Sequence, residues 1–188
     1  MKQREFVNFL TRLEKLKCNT RHCYTTSGRR ESVAEHSWRL AVMAMLCSDE
    51  YPDVNIDRVI KMCLIHDIGE AVTGDIPSFY KTDENEAAEV DAIDALISDL
   101  PDGLRNEFSE LFREMNELET YESKLYKALD NMEAVLAHNE SDLSTWIPLE
   151  YTENLVYGQE NCEFSGWTRE LRAMLKADSI EKIKKEGK

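Results

Sequence analysis

Apolar positions along the chain recur at helical rather than strand spacing almost everywhere. Phe6, Leu10 and Leu13 fall on one face of a first helix. The pattern breaks over "CNTRHCYTTSGRRES", rich in Thr, Ser and Arg, which reads as a loop. It is long for a helical protein, and ordered loops of such length tend to carry function. Ser32, with Glu35 three residues on, supplies a capping box for a second helix. On that helix His36, Leu40, Met43 and Cys47 share a face. "YPDVN" interrupts, and Asn55 or Asp57 opens a third helix with Ile56, Val59, Ile60, Cys63 and Leu64 inward. Its last inward turn closes on His66–Asp67, and "GDIPS" follows as a loop.

Two further helices cover "DENEAAEVDAIDALISDL" and "LRNEFSELFREMNEL", separated by Pro101–Gly103. A longer one runs from about Glu122 to His138, with Leu125, Leu129, Met132 and Leu136 as its stripe and Asp130 at the stripe's edge. "STWIPLEY" breaks the pattern, and "WTRELRAMLKADSIEKIKK" forms a last helix. Strand alternation, internal repeats and low-complexity linkers are not read anywhere, so the class is all-α. The 188 residues suit one domain.

Composition narrows the function classes. Hydrophobic content of 42% and charged content of 32% suit a globular chain. A formal net charge of -14 without a long basic run argues against holding a nucleic-acid polymer by its phosphates. The longest apolar run, "LAVMAMLC", is far short of the roughly 20 residues of a membrane span. "MKQREFVNFLTRLEKLK" lacks the apolar core of a secretory signal, which leads to the expectation of a cytoplasmic protein. The five cysteines are odd in number and show no C-x-x-C spacing, against both a disulfide framework and a zinc finger. Cys47 and Cys63 read as small core residues, as do the Met43/Met45 and Leu125/Met132 stripes.

Polar residues on apolar faces are the informative ones. A lone inward histidine is usually a hydrogen-bonded core residue, and a lone aspartate at a helix edge is usually solvated. The doublet His66–Asp67 is different, because adjacent helical side chains diverge and cannot both decorate the surface of a buried turn. A cation drawn between helices by His36, His66, Asp67 and Asp130 would make buried carboxylates tolerable. Two imidazoles and two carboxylates suit a first-row divalent ion with open positions. Glu70 lies one helical turn past His66, so both can face one cavity, although alone it reads as an exposed helix end. Asp75 after Gly74 alone reads as turn chemistry. Arg29 and Arg30 read as solvated loop charges, Lys127 as an ion-pair partner, and Glu133 as a group holding a histidine in place. Trp38, Trp146 and Trp167 read as packing or interface residues.

The arrangement H36…H66-D67…D130 resembles the HD-domain metal-dependent phosphohydrolases. "ESVAEHSWRLAVMAM", "LIHDIGEAVTGDIPSFYK" and "KALDNMEAVL" are similar to the 5′-deoxynucleotidase subfamily, over most of Leu13 to Leu136. The resemblance implies a single HD domain over 1–188, with its motif core at about 13–136 and helices in 137–188 packing on it. It implies one divalent ion, cobalt or manganese, held by His36, His66, Asp67 and Asp130. It implies Glu70 as catalytic acid/base and Asp75 in catalysis or substrate contact. His36, Asp67 and Asp75-Ile76-Pro77-Ser78 would line the substrate pocket, and Arg21 would contact phosphate. The position after that Arg, a Trp in bacterial relatives, is His22, with Tyr24 nearby, so selectivity for 2′-deoxyribose over ribose is left open. The implied reaction is release of phosphate from nucleoside 5′-monophosphates. Rival readings keep the site for a triphosphate, cyclic nucleotide or alarmone, or make the metal structural in a sensor module. The family also implies a homodimer, for which the C-terminal helices offer apolar residues.

Overall fold

The computed structural model describes residues 1–186. In chain order its elements are α1 (Gln3–Leu13), β1 (Thr20–Tyr24), β2 (Arg30–Ser32), α2 (Val33–Leu46), α3 (Ile56–Ile65), α4 (Glu70–Thr73), α5 (Asp83–Ile97), α6 (Asp102–Glu117), α7 (Tyr121–Glu140), α8 (Glu150–Glu153) and α9 (Gly166–Glu186), joined partly by short 3-10 turns. The class is all-α, with one departure. The expected loop after α1 contains a two-stranded antiparallel hairpin pairing Thr20 with Ser32 and Tyr24 with Arg30, irregular in between. Its alternation escapes a hydrophobic reading because Cys23 is the one fully buried residue of β1.

The helix starts follow local chemistry. The Ser32 hydroxyl accepts from Glu35 N at 3.3 Å while Ser32 N donates to Glu35 Oε2 at 2.9 Å, so the capping box forms. Asn55, not Asp57, caps α3, its side chain accepting from Arg58 N at 3.2 Å. Thr120 caps α7, which runs two residues beyond His138.

The main core lies where α2, α3 and α7 meet, with α6 and α9 closing it. Leu40, Ala44, Val59, Met62, Leu125, Leu129, Met132 and Val135 are fully buried there, and Leu111 and Leu175 arrive from α6 and α9. Cys47 and Cys63 belong to this core as expected. A second cluster of Leu16, Val33, Ile68, Ile97 and Leu100 seats the turn after α3 against α5. Gly69 makes that seat possible: a Cβ there would lie 2.9 Å from Glu89 Cγ and 3.1 Å from the Glu89 carbonyl oxygen.

Some inward expectations fail. Leu64 is exposed, because the buried stripe of α3 runs through Val59, Met62, Cys63 and His66 and leaves Leu64 about 100° off it. Met45 is exposed beside Leu46 at the end of α2. On α1, Phe6 and Leu10 share a face, but that face is exposed and the helix buries none of its residues. Among the described residues no helix is long and apolar enough to cross a membrane.

Candidate metal centre and its cleft

Three helices deliver four side chains to one point. His36 comes from the second turn of α2, His66 and Asp67 from the end of α3, and Asp130 from the middle of α7. His36 Nε2 lies 3.2 Å from His66 Nε2, 3.3 Å from Asp130 Oδ1 and 3.8 Å from Asp67 Oδ2. His66 Nε2 lies 3.0 Å from Asp67 Oδ2 and 3.7 Å from Asp130 Oδ1. An ion with bonds of about 2.0–2.2 Å sets neighbouring donor atoms about 2.8–3.6 Å apart, so the nitrogen and oxygen donors here fit one divalent cation in spacing as well as chemistry.

The ring orientations suit that use. His66 Nδ1 donates to the Cys63 carbonyl at 2.9 Å, which turns Nε2 toward the cluster. His36 Nδ1 bonds Glu133 Oε2, and Glu133 is wholly buried. Glu133 also accepts from Arg21 Nη1 at 2.8 Å and from Arg39 Nε at 2.6 Å. It thus fills the expected role of a group that fixes a histidine. Lys127 Nζ pairs with Asp130 Oδ2 at 2.8 Å, also as expected. Arg29 pairs with Glu35 at the surface.

The charges interlock. Burial and the Arg21 charge disfavour a protonated His36, yet its hydrogen bonds to Asp130 and Glu133 outweigh both and raise it to about 9. Burial would raise Asp67, but the His66 imidazole beside it holds it at about 2. Asp130, half-buried, and Glu133, wholly buried, stay well below the usual carboxylate range against the pull of burial, Asp130 chiefly through Lys127 and Glu133 through His36. Glu70 goes the other way. Burial, then the Asp67, Asp75 and Glu89 carboxylates, push it up to about 10. Its Oε2 is buried with no hydrogen-bond partner among the described residues. A cation at the neighbouring cluster would relieve that crowding of carboxylates.

The cluster opens into a cleft continuous with solvent. His36, Asp67, Glu70 and Asp130 line it together with Arg21, His22, Asp75, Ile76, Pro77 and Ser78, so these expected site residues come together; His66 completes the cluster without lining the cleft. Asp75 is shifted upward, by burial first. Arg21 Nη1 is held by Glu133 and by Glu31 at 3.0 Å. The Asn19 side chain bonds the Glu70 carbonyl and ties the hairpin to the turn after α3. Phe79 stands edge-on to His22 at 5.4 Å between centroids.

Two ionisable cleft residues that pair with His22 escape the sequence reading. His138 lies two helical turns after Asp130 on the same face of α7, and Glu150 opens α8. The i, i+4, i+8 spacing of Asp130, Ala134 and His138 was the available signal.

A family model described as HD domain matches residues 13–172. Human 5′-deoxynucleotidase HDDC2 is 34% identical over 141 residues, covering 73% of this chain and 68% of that protein. The 5′-deoxynucleotidase hdd1 of Schizosaccharomyces pombe is 30% identical over 179 residues, covering 85% of this chain and 89% of the yeast protein. A crystal structure of a predicted metal-dependent phosphohydrolase from Magnetospirillum magnetotacticum superposes with a TM-score of 0.80 at 32% identity, covering 96% of this chain and 94% of the other.

Proposed function

The chain belongs to the HD-domain family, and from that premise we propose that it is a metal-dependent phosphomonoesterase acting on nucleoside 5′-monophosphates, 2′-deoxynucleotides first among them. The observation that carries the reading is the convergence of His36, His66, Asp67 and Asp130 beside a buried, unpartnered Glu70 carboxylate oxygen. The names of the human and yeast relatives support the substrate class. The four residues would hold one divalent ion, cobalt or manganese, which would supply Lewis acidity and offset phosphoryl charge.

The side chains divide the remaining work. Glu70 Oε2 takes a proton from the attacking water as its oxygen bonds to phosphorus, and returns it to the 5′-oxygen as the P–O5′ bond breaks. Arg21 contributes positive charge to the phosphoryl oxygens. Glu133 keeps both Arg21 and His36 in position through direct hydrogen bonds. Asp75, Ile76, Pro77 and Ser78 form the wall against sugar and base, which His22 and Phe79 also line. The reading also takes the protein as a homodimer; exposed Leu149, Val156 and Met174 in the C-terminal part support an apolar contact there, and Phe6, Val7 and Leu10 on α1 offer another.

Phosphate release from paired ribo- and deoxyribonucleoside monophosphates, with Co2+ or Mn2+ added, tests the class and the His22 question together. Turnover of the deoxynucleotides that disappears in Asp130→Asn and His66→Ala is expected. Equal turnover in folded His66→Ala protein would refute the assignment.

A further inference from the structure

A second group of metal-capable side chains faces the same cleft. His22 Nε2 lies 2.6 Å from Glu150 Oε1, His138 Nε2 lies 3.0 Å from that oxygen, and the two imidazole nitrogens are 3.1 Å apart. His22 comes from β1, His138 from the last turns of α7 and Glu150 from the start of α8. His138 and Glu150 are buried, and His22 is half-buried. None of the three belongs to the His36–His66–Asp67–Asp130 cluster.

The hydrogen bonds around the group orient its donor atoms. His138 Nδ1 bonds the Ala134 carbonyl at 2.8 Å, and a carbonyl only accepts, so that nitrogen carries the proton. With Nδ1 so engaged, Nε2 is the ring nitrogen presented to Glu150 and His22. His22 Nε2 can bring at most one proton to a set of three atoms that are all within 3.1 Å of each other. Glu150 is fixed as well: its Oε2 accepts from Ile147 N at 2.8 Å, which leaves Oε1 for the cluster. Trp146 supports His138 from the side, standing edge-on to the ring and donating its indole N–H to the His138 carbonyl at 3.0 Å. Rings oriented through Nδ1 by backbone carbonyls, with Nε2 presented inward, are the usual arrangement of histidine metal ligands. His66 has the same arrangement in the first cluster.

We propose that His22, His138 and Glu150 form a second divalent-cation site, for a borderline ion such as Zn2+ or Co2+. Two nitrogens and one carboxylate oxygen are the donor set of open zinc sites, which keep their fourth position for water or a ligand. Tetrahedral bonds of about 2.0–2.1 Å place donor atoms about 3.3 Å apart, so the two separations at His138 need to widen by only about 0.2–0.3 Å and the His22–Glu150 separation by about 0.7 Å to take the ion. Its vacant position opens on the cleft that all three residues line. The site shares His22 and the cleft with the proposed substrate wall, but its donor set does not depend on the proposed activity.

Counting bound cobalt by elemental analysis after dialysis, together with its visible absorption, tests the proposal. The wild-type chain is expected to hold two ions. His138→Gln and Glu150→Gln are each expected to hold one and to lose the intense absorption of a four-coordinate site. Asp130→Asn is expected to lose the other ion and keep that band. One ion per wild-type chain, retained in both His138→Gln and Glu150→Gln and lost in Asp130→Asn, would overturn the second site and leave the proposed activity standing. Two ions with no phosphate release would do the reverse. Should His138→Gln not fold, a crystal of the wild-type protein soaked in Zn2+ answers alone. An anomalous peak between His22 Nε2, His138 Nε2 and Glu150 Oε1 supports the site, and protein density without a peak there, beside an occupied first cluster, refutes it.

Discussion

Replacing Glu133 by Gln keeps the shape of the side chain and removes its charge. Three positively charged or protonatable groups meet this fully buried carboxylate: Arg21, Arg39 and His36. Removing one partner of a buried ion pair costs about 3–5 kcal/mol, because the remaining charge stays desolvated. Arg21 retains Glu31 at 3.0 Å, and Arg39 retains Glu140, so the lower end, about 3 kcal/mol, applies here. For a chain of this size each kcal/mol moves Tm by roughly 2–4 °C, so the loss is roughly 6–12 °C. The same change frees the His36 ring, and loss of a group that orients a metal-binding histidine weakens metal affinity about 10–100-fold. Thermal melts of metal-free protein and cobalt titrations read the two effects separately. The pH dependence adds a sign. Glu133 is held well below an ordinary glutamate, so its stabilisation is fully present above about pH 4.3 and is lost as pH falls further. The Gln variant lacks that part of the acid limb. A Glu133→Gln protein with Tm within about 2 °C of wild type and unchanged cobalt affinity would refute the reasoning.

Glu70→Gln should lower the rate of phosphate release by about 10²–10⁴-fold with little change in fold, as read by steady-state kinetics and circular dichroism; retention of rate removes Glu70 from proton transfer. In the metal-free protein His36 is raised to about 9 and Glu70 to about 10, so metal loading displaces protons. Cobalt affinity should therefore rise between pH 6.5 and 8.5, and calorimetry in buffers of different ionisation enthalpy should show proton release; pH-independent affinity would contradict the protonated ground state. Gly158→Ala should unfold at lower denaturant, by about 2–5 kcal/mol, since φ is +63° and the added Cβ would fall 2.3 Å from Asn131 Cβ, beside Asp130. An unchanged urea midpoint would show that α7 yields there freely.

Much of the fold and cluster could be read from periodicity. His36, His66 and Asp130 sit on helical faces whose other members are core residues, and a polar residue on such a face is conspicuous. Glu70 and Asp75 were legible because the turn after α3 keeps them close in sequence to His66–Asp67. The hairpin was not, because its strands pack on charge. Cys23 contacts Glu31, and Arg21 contacts Glu31 and Glu133, so no apolar alternation marks the pair. His138 and Glu150 were missed for a related reason. Their meaning lies in a partner from β1, and the separation of His22 from both gives periodicity nothing to detect. Exposed Leu64 and Met45 show the converse limit, since apolar character alone does not say which side of a helix has a neighbour.

The central claim is that one divalent cation held by His36, His66, Asp67 and Asp130 makes this chain a nucleotide phosphatase. Its most direct measurement is phosphate release from a 2′-deoxynucleoside 5′-monophosphate by chelator-stripped protein as Co2+ is restored, run beside Asp67→Asn. Release should be absent without metal, return with restored ion in the wild type, and stay absent in Asp67→Asn. Full release from stripped protein, or equal release by folded Asp67→Asn, would contradict it.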